Sequence, residues 1–295
     1  MAILAAALYG VSAPFSKLLL INIPPTLMAA LLYLGAGTGM LLIKIFQRLG
    51  SAREVEAGLT RKELPYIIGM VLLDIAAPIF LMIALTQTTA ANASLLNNFE
   101  IVATAMVAML LFKEQIGRRM WLAIALISVA SLILSVEDAS SFSFSLGSLF
   151  ALLACVCWGL ENNCTRMLSL KDPLQIVVIK GFGSGIGALL IAWSVGQSHA
   201  KLQYITMAML LGFVAYGLSI YFYIKAQRSL GAARTSAYYA VAPFIGVLIS
   251  ILIFGQVMTA SFIIAAVIMI IGSFFAATEY HRHAHLHQTV THEHR

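Results

Sequence analysis

Ten long apolar runs separated by short connections dominate this chain, and they leave few ways for it to fold. They cover roughly residues 2–21, 25–47, 64–85, 89–112, 119–136, 145–167, 173–196, 203–227, 232–254 and 259–278. Each approaches the ~20 residues that a helix needs to cross a bilayer core. The runs are continuous and lack strict alternation, so they read as helices. A β-barrel would show alternating segments of about ten residues. Apolar residues make up 61% of the 295 residues and charged residues only 10%. A soluble domain carries about 25% charged residues. The first run begins at Met1 without a basic stretch before it, and reads as the first span rather than a cleaved leader.

The basic residues give the spans a direction. Lys44, Arg48, Arg53, Arg61 and Lys62 lie on one connection; Lys113, Arg118 and Arg119 on the next of the same parity. Arg166 and Lys171 follow, then Lys225, Arg228 and Arg234, and finally Arg282 and Arg295. The alternate connections hold only Lys201, while Lys17 and Lys180 lie inside apolar runs. Basic loops resist translocation, so the expected location is the cytoplasmic (inner) membrane, multi-pass, with both termini cytoplasmic. The net charge of +6 marks loop ends and forms no patch with interleaved aromatics, so no nucleic acid partner is expected. Cys155, Cys157 and Cys164 share one apolar run and imply no disulfide framework.

The chain also repeats itself. Tyr9-Gly10 with Ser16-Lys17 matches Trp158-Gly159 with Thr165-Arg166. Pro25 pairs with Pro173, Gly35-x-Gly37-x-Gly39 with Gly183-x-Gly185-x-Gly187, and Leu110-Leu111-Phe112 with Leu252-Ile253-Phe254. Five spans per half is an odd number, so the second half enters the membrane upside down. The fold expected is an all-α integral membrane protein of ten transmembrane helices in two inverted five-helix repeats. The divisions are 1–138, 139–279 and a histidine-rich cytoplasmic tail at 280–295. Inverted repeats are the architecture of many secondary transporters, with the substrate site near mid-membrane between the repeats.

Acidic residues inside spans are expensive and mark functional sites by default. Asp74 and Glu100 lie about equally far from the turn joining the third and fourth spans. If they face each other, both cannot comfortably ionise, and one would hold a proton or share a cation. Asn97, Glu100 and Thr104 follow helical spacing, and Ser94 and Asn98 broaden the stripe. Tyr238 and Tyr239, with Pro243 beyond, stand in the matching span. Glu161 and Lys180 flank the turn between spans six and seven, and can pair as a gate or as a permanent tie. Asn162 and Asn163 make that face more polar. Trp158, Tyr9, Tyr216, Tyr221 and Tyr223 line a cavity or pack. Gly35, Gly39, Gly183 and Gly187 read as helix-packing contacts. Lys17 is close enough to an interface to snorkel. His281, His283, His285, His287, His292 and His294 form a tail able to chelate a divalent metal, the one cofactor considered. No nucleophile elbow, Walker motif or H-E-x-x-H helix is present, so no enzyme is expected.

In these segments the chain resembles the drug/metabolite transporter superfamily, and within it the EamA-type ten-helix branch. The paired Tyr9-Gly10…Lys17 and Trp158-Gly159…Arg166 segments resemble the first helix of each repeat. Residues 90–100 followed by Leu111-Phe112-Lys113-Glu114 resemble the fourth-helix pattern. Ile101 stands where that family often has proline, and Gln256 where the second repeat often has an acid. The resemblance implies a central cavity, alternating access, and movement of small organic solutes, often export of amino acids or other metabolites. Two other readings fit the same residues: a divalent-metal exporter with the tail as metal collector, and a non-transporting membrane sensor of metal or pH. The partners expected are the lipid bilayer and a small-molecule substrate, with a homodimer left open.

Overall fold

A computed structural model describes residues 1–49, 58–113, 115–138, 143–168, 171–230, 235 and 238–278. Among the described residues, nine helical spans long enough to cross a membrane and one shorter apolar helix, Ala242–Phe254 in the span expected at 232–254, run in sequence. They are α1 (Ala2–Gly10 and Ser12–Leu19), α2 (Pro25–Leu49), α3 (Leu64–Gln87), α4 (Ala90–Leu96 and Phe99–Phe112) and α5 (Arg118–Ser135). Then come α6 (Leu146–Leu168), α7 (Pro173–Ser194), α8 (Leu202–Leu230, with a π segment at Phe213–Leu218), α9 (Ala242–Phe254) and α10 (Ala260–Ala277). Two very short strands, β1 (Val136–Asp138) and β2 (Ser143–Phe144), pair antiparallel between α5 and α6. Helices suit this chain because each satisfies its own backbone polar groups in lipid. Polar caps fix several starts. Thr89 and Thr259 accept from the backbone N–H groups of Asn92 and Phe262 at 3.0 and 3.2 Å, and Asp172 accepts from Leu174 N–H at 2.9 Å.

The chain enters and leaves at one face, called here the terminal face. The contacts between the two halves come in mirror pairs. Helix α3 packs on α6 as α8 packs on α1, and α4 packs on α6 as α9 packs on α1. Likewise α3 meets α7 as α8 meets α2, while α2/α7, α4/α9 and α5/α10 pair across the axis. This is the pattern that two inverted repeats related by a pseudo-two-fold axis produce.

The matching glycines occupy matching places. A Cβ on Gly35 would stand 2.0 Å from Met209 O, and one on Gly39 2.0 Å from the Phe213 ring, both on α8. In the other half, a Cβ on Gly183 would stand 2.8 Å from Val71 and one on Gly187 2.2 Å from Ile75, both on α3. Between them Gly181 and Gly37 meet, a Cβ on Gly181 falling 2.4 Å from Gly37 Cα. Without a hydrophobic drive between helices in lipid, close backbone approach at small residues is what associates them. Gly35→Ala forces side chain against backbone, which cannot rotate away. Overpacking of this kind typically costs about 1–3 kcal/mol, and thermal unfolding of the purified protein should show at least that loss.

Among the described residues three spans are interrupted, and the turn just ahead of α9 is the equivalent of the interruption in α4. At Asn97–Asn98 the α4 ladder tightens, with Asn98 N–H on Leu95 O and Glu100 N–H on Asn97 O. Ahead of α9, Phe244 N–H turns back to Val241 O in the same i→i−3 fashion. Helix α1 is interrupted at Val11 and α8 carries its π segment. Helices α4 and α9 also end alike, in left-handed residues: Lys113 at φ 54° and Gly255 at φ 59°. Only the second is suited to it, since a Cβ is strained there by about 1–2 kcal/mol. Lys113→Gly should therefore raise the unfolding temperature.

Candidate functional site

Lys180, on α7, sits between two carboxylates supplied by two other helices. Its Nζ is 3.0 Å from Asp74 Oδ2 on α3 and 3.0 Å from Glu161 Oε1 on α6. Asp74 is 0%, Glu161 1% and Lys180 7% exposed, so the cluster has no access to bulk water. Tyr33 on α2 donates to Asp74 Oδ1 at 2.9 Å, and Thr165 donates to Glu161 Oε1. One ammonium between two carboxylates leaves a formal charge of −1 when all three groups are ionised. Asp74 and Tyr33 come from the first half, Glu161 and Lys180 from the second.

Glu100 makes a separate arrangement beside it. Asn162, on α6, donates from Nδ2 to Glu100 Oε1 at 2.6 Å and to Thr104 Oγ1 at 3.2 Å. Asn163 donates to Thr104 O at 3.2 Å and Gly159 O at 2.8 Å, where α4 and α6 touch closely. Equal distance from the turn joining α3 and α4 therefore does not make Asp74 and Glu100 partners. Each turns to α6 or α7 instead, because α3 and α4 both pack on α6. Of the remaining stripe, Asn98 is committed to structure: it donates to Leu95 O and accepts from Ser273 on α10, both at 3.1 Å. Asn97 lies at the α4 interruption with its Oδ1 unpartnered among the described residues.

Tyrosines connect these groups across the bundle. Tyr216 stacks obliquely on Tyr33 at 5.4 Å and edge-on to Tyr9 at 5.8 Å, and receives a hydrogen bond from Ser12 at 3.1 Å. Tyr9 in turn lies 5.9 Å from Tyr239, and Tyr239 is 4.9 Å from Tyr223. Trp158 is buried in the same core, whereas Tyr238 is half-exposed and Tyr221 packs on Phe222. The sequence reading missed Tyr33 and Ser12. A tyrosine two residues before the glycine motif of α2 was the available signal for the first. Pro14, which disturbs the helix around Ser12, was the signal for the second.

The two faces of the protein differ. Among the described residues, the halves are tied at the terminal face by ion pairs, Lys44–Asp172 at 2.9 Å and Glu63–Lys171 at 3.3 Å, whereas at the opposite face neutral ties join them, Thr26 N–H donating to Gln197 Oε1 at 3.2 Å and Asn92 Nδ2 to Ser148 Oγ at 3.0 Å. At the opposite face lies a cleft of about 420 Å³ lined by Lys17, Thr86 to Thr89, Asn92 and Gln256, among others. Lys17 does not snorkel outward. It donates to Leu85 O and, at 2.8 Å, to Thr88 O, closing the end of α3. The Gly10/Gly159 and Gly35/Gly183 matches make Ser12 and Leu32 the equivalents of Glu161 and Lys180, and the equivalent seating of Val71 and Met209 on Gly183 and Gly35 makes Gly212 the equivalent of Asp74. The charge cluster thus has no counterpart on the other side of the axis. Arg53, Glu114 and the six tail histidines lie outside the described residues.

Comparison with known proteins fits this geometry. The EamA-like transporter family model matches residues 1–136 and again 145–278, one match for each half. The chain belongs to the EamA-like transporter family. It is a multi-pass membrane transporter, and the ten spans and two repeats read from the sequence are the family's architecture. An uncharacterized transporter from Methanothermobacter thermautotrophicus is 25% identical to this EamA-like protein over 288 residues, spanning 92% of this chain and 83% of its own. One crystal structure aligns with a TM-score of 0.66 at 17% identity, over 94% of this chain and 95% of the other, which shows a shared fold.

Proposed function

We propose that this EamA-like transporter exports a small organic solute, an amino acid or another metabolite, across the cytoplasmic membrane. It works by alternating access, and protons drive it through Glu100 and the Asp74 cluster. The observation that carries this reading is the buried Lys180 bridge between Asp74 and Glu161, an ion-pair tie between the two halves that has no counterpart across the axis among the described residues. Intramembrane ionisable groups are kept where ions or substrates pass. Their surplus negative charge is cancelled by one proton. Cancelling it frees Lys180 from one partner and loosens the tie between the halves.

The basic loops make the terminal face cytoplasmic. The ion pairs then close the cytoplasmic side while the cleft opens outward, which is one end state of an alternating cycle. Tyr9, Tyr33, Tyr216 and Tyr239 offer aromatic faces and hydroxyls between the two sides, suited to a solute with both apolar and polar parts. To test this, small metabolites are screened for thermal stabilisation of the purified protein, since a ligand of the folded state raises its apparent stability. The stabilising solute is then followed in reconstituted vesicles. Movement of that solute is expected, and its absence for every stabilising compound would refute a transport role for the site.

A further inference from the structure

We propose that the crossing of α1, α4 and α9 binds a monovalent cation of sodium's size, held by Gly10 O, Ser94 Oγ and Asn97 Oδ1. Helices α1 and α4 meet here at their interruptions, beside the first turn of α9, and the three line a void of about 10 Å³. That is room for about one water-sized particle. Ser94 is 2% and Asn97 7% exposed, and neither Ser94 Oγ nor Asn97 Oδ1 has a hydrogen-bond partner among the described residues. Buried polar atoms are nearly always paired in folded proteins. Two unpaired oxygens at one small void point to an occupant.

The oxygen set selects the kind of occupant. The third oxygen is a backbone one: in a continuous helix Gly10 O would receive the N–H of residue 14, but residue 14 is proline and has none. Gly246 leaves the approach open. A Cβ there would stand 2.7 Å from Ser94 Oγ and 3.0 Å from Gly10 O, so both oxygens face the same point. Amide and carbonyl oxygens only accept hydrogen bonds, and the Ser94 hydroxyl can turn its proton away. No carboxylate lines the void. Divalent cations in protein sites are held largely by carboxylates, whereas rings of neutral oxygens serve monovalent ions. Unwound backbone in interrupted spans is also where inverted-repeat transporters hold coupling ions. Ser12, on the wall of the void, donates to Tyr216, whose ring lies on Tyr33, the partner of Asp74. Occupancy can therefore be felt at the charge cluster.

The test is thermal unfolding of the purified full chain in sodium, potassium or choline chloride at equal ionic strength. Stability is expected to rise saturably with sodium and to remain flat with choline, with potassium well below sodium. Ser94→Ala and Asn97→Ala should each weaken the apparent sodium affinity by about tenfold or more, as loss of a contact to a charged group does. Ser131→Ala provides the control. Its hydroxyl is equally buried and unpartnered but lies on α5, away from the void, and the sodium response should be unchanged. Equal stability in sodium and choline would overturn the proposal, as would wild-type sodium affinity in Ser94→Ala. The readout is binding, so it fails or succeeds independently of which solute moves and of proton drive.

Discussion

Replacing Lys180 with methionine is expected to destabilise the protein by about 3–5 kcal/mol and to abolish transport. The size follows from what is left behind. Asp74 and Glu161 remain buried from water with no cation between them, and removing one partner of a buried ionic group is costed at that magnitude. The companion variant separates folding from function. Lys180→Met combined with Asp74→Asn and Glu161→Gln removes all three charges, and burying neutral polar groups costs far less than burying an unpaired charge. Most of the lost stability should return, measured as unfolding temperature in one detergent and lipid condition. Transport should not return, because the tie between the halves no longer responds to a proton. A triple variant that transports like the wild type would make the cluster a structural fixture.

Glu100→Gln is expected to leave the protein folded in the membrane while lowering transport about tenfold and flattening its dependence on pH. The amide keeps an oxygen for Asn162 at the place where Glu100 Oε1 accepts at 2.6 Å, so packing is preserved. What disappears is the ability to take up and release a proton, and with it a charge-assisted hydrogen bond worth about 1.5–3 kcal/mol. Rates measured across pH in reconstituted vesicles decide it. A profile that keeps the wild-type shape would remove Glu100 from the proton route and leave Asp74 and Glu161 to carry it.

The spans and their inversion were legible because lipid imposes length and composition on every crossing, and because the repeated glycines still do the same work. Gly35 and Gly183 seat α8 and α3 in equivalent grooves, which is why the motif survives in both halves. Glu161 and Lys180 were legible as a pair because they flank one turn at equal distances. Asp74 was not, since it reaches them from the other half through the packing of α3 on α6 and α7. The polar stripe of α4 was only partly readable. Helical spacing put Glu100 and Thr104 on one face, and both meet Asn162. The same spacing hid the interruption at Asn97–Asn98, which sends Asn98 to α10 and leaves Asn97 facing the void. Pro14 lies just after the interruption of α1 and Pro243 just after the turn ahead of α9, but which helices those loosened turns meet is a tertiary fact.

The central claim is that proton movement and solute movement are one event. It is tested most directly by loading vesicles containing the protein with equal stabilising solute and equal sodium on both sides, then imposing only a pH gradient. The account predicts that solute accumulates on one side, that reversing the gradient reverses the accumulation, and that Glu100→Gln abolishes it. Solute that stays at equal concentration under either gradient, while still exchanging across the membrane, would contradict it.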